Sequence, residues 1–239
     1  MGKRQGSEGR AETADRQDGA NVTAAGTVRR LPRGRHRMTR DEVLASQRGR
    51  MLKAMADLVA EQGYASTTVA DVIARAGVSR RTFYEHFADK RDCFFCAWDT
   101  SVRVLVDDIV QAAGSARDWR ERLEAGLDVY LHSLVREPGI ARSLTVDALA
   151  AGPGAVERRR EVHDRFVGLL RVLLAEAHGV SPVTLGAAEP LLVAVVGGLN
   201  ELAAREVEQG RTASLERLKP AMLALCLSVF EAPELPVAA

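Results

Sequence analysis

At 239 residues, with 46% hydrophobic and 27% charged side chains, the chain has the composition of a folded protein rather than a disordered or membrane-embedded one. Its net charge of +1 conceals an uneven distribution: about +6 over residues 1–40, about 0 over 41–90 and about −5 over 91–239. A uniformly basic nucleic-acid wrapper is excluded, and any phosphate partner belongs at the amino-terminal end.

No uninterrupted apolar run approaches the roughly 20 residues that cross a bilayer, and the amino terminus lacks a signal-peptide core. The expected location is cytoplasmic, with no membrane partner. Cys93, Cys96 and Cys226 are odd in number and lie on separate segments, which fits a reducing compartment rather than a disulfide framework.

Residues 1–38 are rich in Gly, Ala, Arg, Thr and Asp without apolar periodicity, and read as a disordered basic extension. Its last part, Arg29 to Arg37, is either a solvated tail or an arm that reaches phosphates or a minor groove. Met38 is a second candidate start, which would remove that arm.

Beyond the extension the pattern is helical. Met51, Met55, Leu58 and Gln62, with Leu52 and Val59, form a stripe at helical spacing that Gly63 ends as a C-cap. Thr68-Val69-Ala70-Asp71 has capping-box spacing and opens a second helix that runs to Ala76. Gly77 supplies a sharp turn, and Ser79 caps a third helix, Arg80 to Phe87. A fourth begins around Asp89 to Asp92. Turn signals then separate helices expected near 90–113, 118–136, 139–150, 155–178, 184–208 and 213–231, with Pro190 bending or splitting the penultimate one. No segment alternates with strand period, so the fold class is all-α. The division expected is 1–38 extension, 39–90 helix-turn-helix DNA-binding domain, and 91–239 larger helical domain.

On the third helix, Val78, Phe83 and Phe87 share a face that packs on Val69, Val72 and Ile73. The opposite face presents Arg80, Arg81, Tyr84 and Glu85, with Thr82 at its starting edge. A helix fits the major groove, and its first residues reach base edges. Arg80 and Arg81 can each take guanine or phosphate, and the sequence does not rank them. Glu85 either accepts from a cytosine amino group or pairs with Arg81 one turn back; the pair is favoured.

The order Gly63-Tyr64, Thr67-Thr68-Val69, Asp71-Val72-Ile73, Ala76-Gly77-Val78-Ser79, Thr82-Phe83-Tyr84-x-His86-Phe87 and Lys90 closely resembles the TetR family of bacterial regulators. The resemblance is strong over residues 48–95 and looser beyond, where it includes Gly197-Gly198-Leu199-x-Glu201-Leu202. It implies that Tyr84, His86 and Lys90 touch the DNA backbone, that Thr82 helps at base edges, and that Thr67 or Thr68 binds phosphate from the start of the second helix. It also implies a homodimer on a palindromic double-stranded operator, repression as the usual outcome, and an unidentified small-molecule effector that releases the DNA by moving the helix starting at Lys90.

Leu191, Leu192, Val195, Val196, Leu199 and Leu202 on one late helix, and Leu215, Leu218, Met222, Leu225 and Val229 on the next, are the expected dimer stripe. Gly197-Gly198 permits close approach there. Trp98, Tyr130, His132, Phe166 and Asn200 are the candidate effector-lining residues; Asn200 is a lone amide in an apolar helix and needs a partner if buried.

Rival readings find less support. The five histidines show no metal-ligand spacing, and no phosphate-binding glycine loop or nucleophile motif is present, so neither an enzyme nor a cofactor is expected. Cys93-Phe94-Phe95-Cys96 offers a redox or metal switch, but packing at the start of the fourth helix is favoured. A protein-binding adaptor conflicts with the joint presence of Arg80, Tyr84, His86 and Lys90.

Overall fold

Capping chemistry places the first boundaries. A computed structural model describes residues 40–145, 152 and 154–232, so the expected extension at 1–38 and the end of the helix expected at 139–150 lie outside the described residues. Helix α1, Arg40–Ser66, is interrupted at Gly63, whose φ of 78° and ψ of 160° replace the simple C-cap expected there. Helix α2, Val69–Ala76, carries the full capping box: the Thr68 hydroxyl accepts from Asp71 N–H at 3.2 Å, and Thr68 N–H donates to the Asp71 carboxylate at 2.9 Å. Gly77 ends it with φ 64°, a left-handed conformation that favours glycine. Ser79 then caps α3, Arg80–His86, by accepting from Thr82 N–H at 3.0 Å, and Phe87 terminates it.

The remaining helices are α4 (Lys90–Gly114), α5 (Trp119–Arg136), α6 (Pro138–Thr145), α7 (Ala155–His178), α8 (Glu189–Glu208) and α9 (Lys219–Phe230). No strand occurs among the described residues. Pro190 does split the helix expected at 184–208: a tight 3₁₀ segment, Pro182–Ala188, precedes α8, and the proline sits in the first turn of the new helix. The helix expected at 213–231 is split the same way, which the sequence reading missed. Thr212–Leu218 is 3₁₀ and α9 restarts with Pro220 in its first turn, where a missing N–H costs nothing.

One segment among the described residues comes near membrane length, although Glu189 and Glu201 interrupt its apolar run. Pro182–Glu208 is long and apolar enough to cross a bilayer by length and composition, with a mean hydropathy of 1.6 over its richest window. Only 28% of that window is buried within the single chain. In the fold this segment packs on α6, α7 and α9.

Helices α1, α2 and α3 close over Met51, Met55, Leu58, Val59, Val72, Phe83 and Phe87, all buried. Val69, Ile73 and Val78 pack against the same core while partly buried. The Arg50 guanidinium donates to the Ala76 carbonyl at 3.1 Å, and Arg75 grips Glu61 through two bonds of 2.6 and 2.7 Å, tying α2 to α1. Helix α4 packs on α1 at its start and on α5 along its length. Helix α6 lies between α1 and α8. A methyl group on Gly139, at the start of α6, would stand 2.7 Å from the Ala56 carbonyl oxygen of α1. That atom is backbone and cannot yield cheaply.

Gly139→Val is therefore expected to push α6 off α1 and to destabilise the fold by about 1–3 kcal/mol, the usual cost of overpacking. Urea denaturation would show this as a lower midpoint at unchanged slope; an unaltered midpoint would mean that α6 is free to shift.

Candidate nucleic-acid interface and ligand cavity

The apolar side of α3 is sealed: Phe83 is 0% and Phe87 2% exposed, with their rings 5.5 Å apart. Its other side is left to solvent. Arg80, Arg81 and Glu85 are exposed, and Tyr84 is 48% exposed. Arg81 donates to Glu85 at 3.0 Å, the favoured alternative of the two weighed for Glu85. The Arg80 guanidinium lies 5.8 Å from the Tyr84 ring centroid, a cation–π contact that holds it over the tyrosine without occupying its N–H groups with a carboxylate. The two arginines thus differ: one is neutralised by a neighbour, the other is not.

The other expected contact residues are placed unequally. Thr82 is half-buried, with its hydroxyl 2.9 Å from that of Ser79. Thr68 is exposed, but its hydroxyl donates to Asp71 at 2.7 Å. Thr67 is 0% exposed and donates its hydroxyl to the Gly63 carbonyl at 2.9 Å, so its side chain is withdrawn from any phosphate; the break in α1 at Gly63 supplies that acceptor. His86 is half-buried, and its Nε2 is buried without a hydrogen-bond partner. Lys90 is also half-buried: its ammonium donates to the Tyr64 carbonyl at 3.0 Å and lies 4.2 Å from the Tyr64 ring centroid.

A second feature lies among α4, α5, α7 and α8, a cavity of about 370 Å³ with mostly apolar walls. Trp98, Tyr130, Phe166 and Asn200 line it, and Tyr130 meets Phe166 edge-on at 6.0 Å. His132 does not. It points to solvent from the far side of α5, 3.3 Å from Glu216, because it lies two residues from Tyr130 and so on a different helix face. Sequence reasoning missed Arg122, Arg159, His163 and Glu176, which also border the cavity. The face of α7 that includes Phe166 gives them away: Arg159, Val162, His163, Phe166, Leu170 and Leu173 recur at helical spacing.

Three comparisons bear on these two features. Residues 51–96 match the family model described as bacterial regulatory proteins, tetR family. Residues 51–96 are thus similar to the amino-terminal module of that family. Among curated proteins it is 31% identical over 120 residues to the transcriptional activator FasR of Mycolicibacterium smegmatis, covering 50% of this chain and 50% of FasR. It thus spans about half the length of that relative. The solved structure of the fatty acid degradation regulator FadR from Bacillus halodurans superposes with a TM-score of 0.66 at 20% identity, over 76% of this chain and 94% of that one. FadR from Bacillus subtilis, solved in complex with stearoyl-CoA, gives 0.65 at 17% identity, over 75% and 97%. At such identities these two show that the TetR-type fold continues through the carboxy-terminal helices.

The cysteine pair at the start of α4 is packed rather than poised. Burial, followed by the neighbouring Cys96 and Asp92, pushes the Cys93 thiol up to about 12; burial and Asp92 also raise Cys96. Cys226 is raised to about 11 by burial. No group of metal-binding side chains occurs among the described residues. Since the thiolate is the reactive species, iodoacetamide at neutral pH should leave Cys93 and Cys226 unmodified in the native protein and label Cys96 slowly. Rapid native labelling of Cys93, read by peptide mass spectrometry, would show an opening that the packing does not predict.

Proposed function

We propose that the protein is a TetR-like transcription regulator, not an enzyme, that binds a palindromic operator as a homodimer in the cytoplasm and releases it when an apolar effector fills the cavity. The observation that carries this reading is the outward side of α3, where Arg80 and Tyr84 stand exposed on a helix whose other side is fully seated. On such a helix Arg80 is the base reader, free to bond guanine bidentately. Arg81 shares its charge with Glu85 and serves phosphate. Tyr84 supplies a backbone contact as it stands, Thr82 helps at the base edges, and Thr68 reaches phosphate by turning its hydroxyl from Asp71. His86 and Lys90 serve mainly as supports of the α3–α4 junction, and reach phosphate only by giving up present packing.

Dimerisation is favoured by what the single chain leaves uncovered. Part of the stripe expected at the interface is internal, with Leu192, Val195, Val196, Leu215 and Met222 buried within the chain, while Leu191 of the same stripe stays exposed. Leu191 is 39% and Val193 46% exposed on α8, and Ala194, Ala221 and Ala224 are exposed beside them. Gly197 has open space where a Cβ would stand, whereas Gly198 is already met by Leu225 at 2.8 Å. A symmetric partner placed on this surface buries it.

The effector is proposed from the cavity's shape and lining, and stearoyl-CoA in Bacillus subtilis FadR supports a long acyl chain as its type. Repression is proposed as the regulatory sign. FasR, named as an activator, favours the opposite sign, and a promoter fusion in a deletion strain separates the two.

Arg80→Ala is expected to weaken operator binding by about 1–3 kcal/mol and to relax base choice at one position of each half-site. Arg81→Ala should instead weaken all sequences alike and flatten the salt dependence. Gel shifts on operator variants at several salt concentrations test both; base choice unchanged in Arg80→Ala would reverse the assignment. Gly197→Arg should convert the dimer to monomer in light scattering. A wild-type chain that is already monomeric at micromolar concentration would remove the dimer from the reading.

A further inference from the structure

The cavity is long and its two ends differ in charge. Along α7 its wall runs from Arg159 to Glu176, about 25 Å at the helical rise of about 1.5 Å per residue. Between them the α7 lining is apolar apart from His163. At the Glu176 end the one cation, Arg122, is ion-paired with Glu176, while its Nε is buried without a hydrogen-bond partner among the described residues. The other end holds Arg159 and His163 with no carboxylate paired to either among the described residues. The adjacent Arg158 is already engaged by Asp99 and by the Phe95 ring, 5.0 Å from its centroid. Burial and then Arg159 press the His163 pKa below its ordinary value, against a smaller opposing pull from Asp164, the direction expected of an imidazole beside a cation in apolar surroundings.

The register of α8 brings the amide to the same end. Helices α7 and α8 meet where Arg171 lies 3.4 Å from Glu189, and they run antiparallel. Asn200, about eleven residues beyond Glu189, is thereby level with the first turns of α7 rather than its last. It borders the cavity with no hydrogen-bond partner among the described residues. One end of an apolar trough therefore offers a guanidinium, an imidazole and a carboxamide, all unsatisfied.

Resting on the effector reading above, we propose that the ligand is an anionic amphiphile, a carboxylate or phosphate head on an unbranched apolar chain, bound with its head at Arg159, His163 and Asn200 and its tail directed along α7 toward the Arg122–Glu176 pair. Arg159 supplies the charge, which an anion satisfies and a neutral chain does not. Asn200 donates through its amide. The orientation puts the head beside the start of α4, next to Trp98 and the base of the reading head, and the tail in the half of the cavity whose one cation is ion-paired.

Calorimetric titration of the full-length protein with palmitate, hexadecyl phosphate and hexadecanol tests this, with operator release followed in parallel. Hexadecanol should bind roughly ten- to a hundredfold more weakly than the tighter anion, the range of one charge-assisted hydrogen bond. Arg159→Gln should weaken the anionic probes by a similar factor and leave hexadecanol unchanged, which also shows that the cavity is still folded; Arg159→Lys should restore most of the loss. Preference for palmitate assigns a carboxylate head, and preference for hexadecyl phosphate a phosphate head. Chains that bind equally well with or without charge, or an Arg159→Gln variant that loses all three alike, overturn the proposal but leave the effector reading standing. Failure of all three probes to bind the wild-type protein ends both.

Discussion

The seating of Phe83 and Phe87 in the α1–α2 core decides what the amino-terminal module can present. A helix of the length of α3 does not persist alone in water, since nucleation costs more than a few backbone hydrogen bonds return. It persists here because Ser79 caps its start and two buried phenylalanines fix its rotation. Each buried ring contributes on the order of 2–3 kcal/mol. With rotation fixed, Arg80 and Tyr84 have nowhere to go but outward. Any substitution that loosens the two rings blurs the presentation of every polar group on the helix, including those that touch nothing in the core.

The same constraint reaches the cavity through α4. Its first residue, Lys90, is bound to the Tyr64 carbonyl and ring, so the start of α4 moves with the reading head or not at all. Tyr64 in turn contacts Phe94 at 4.7 Å, and Phe94 contacts Trp98 at 5.9 Å. Trp98 is both the last ring of that chain and part of the cavity wall. A ligand that displaces Trp98 therefore pushes on a stack of rings that ends inside the head. A ligand can shift the head's position only by the difference in its affinity for the two arrangements. A ring lodged between the two sites is where such a difference arises, because close-packed aromatic clusters have few intermediate positions.

Much of the head was legible because its determinants are local. Thr68 with Asp71, Gly77 and Ser79 are caps and turns whose chemistry depends on residues within four positions, and the alternation of Phe83 and Phe87 against Arg80 and Tyr84 follows from helical period alone. Thr67 was misjudged because a threonine beside a cap looks available, and only the break at Gly63 explains where its hydroxyl goes. Pro190 and Pro220 have the same effect, yet the second was read through since the apolar period continues across it. The carboxy-terminal helices were legible as elements and not as surfaces. An all-round apolar helix such as α8 does not reveal which stripe meets its own chain and which meets solvent. His132 turns away from the cavity for a related reason, since two residues from Tyr130 it lies on another face of α5.

Helix α8 carries three duties on three faces, and this limits how the molecule can respond. Val196, Leu199 and Asn200 border the cavity, another face packs on α6, and Leu191 and Val193 stand uncovered. A ligand that moves α8 is felt by whatever covers the third face and also by α6. That second route has little slack, because α6 meets α1 at Gly139, where even a methyl group would approach a carbonyl oxygen to 2.7 Å. Contact so close between backbones transmits a displacement instead of absorbing it. The head is thus held from two sides, by α4 through Lys90 and by α6 through Gly139, and a change at the cavity that moved only one of them would have to break the packing of α1 against the other.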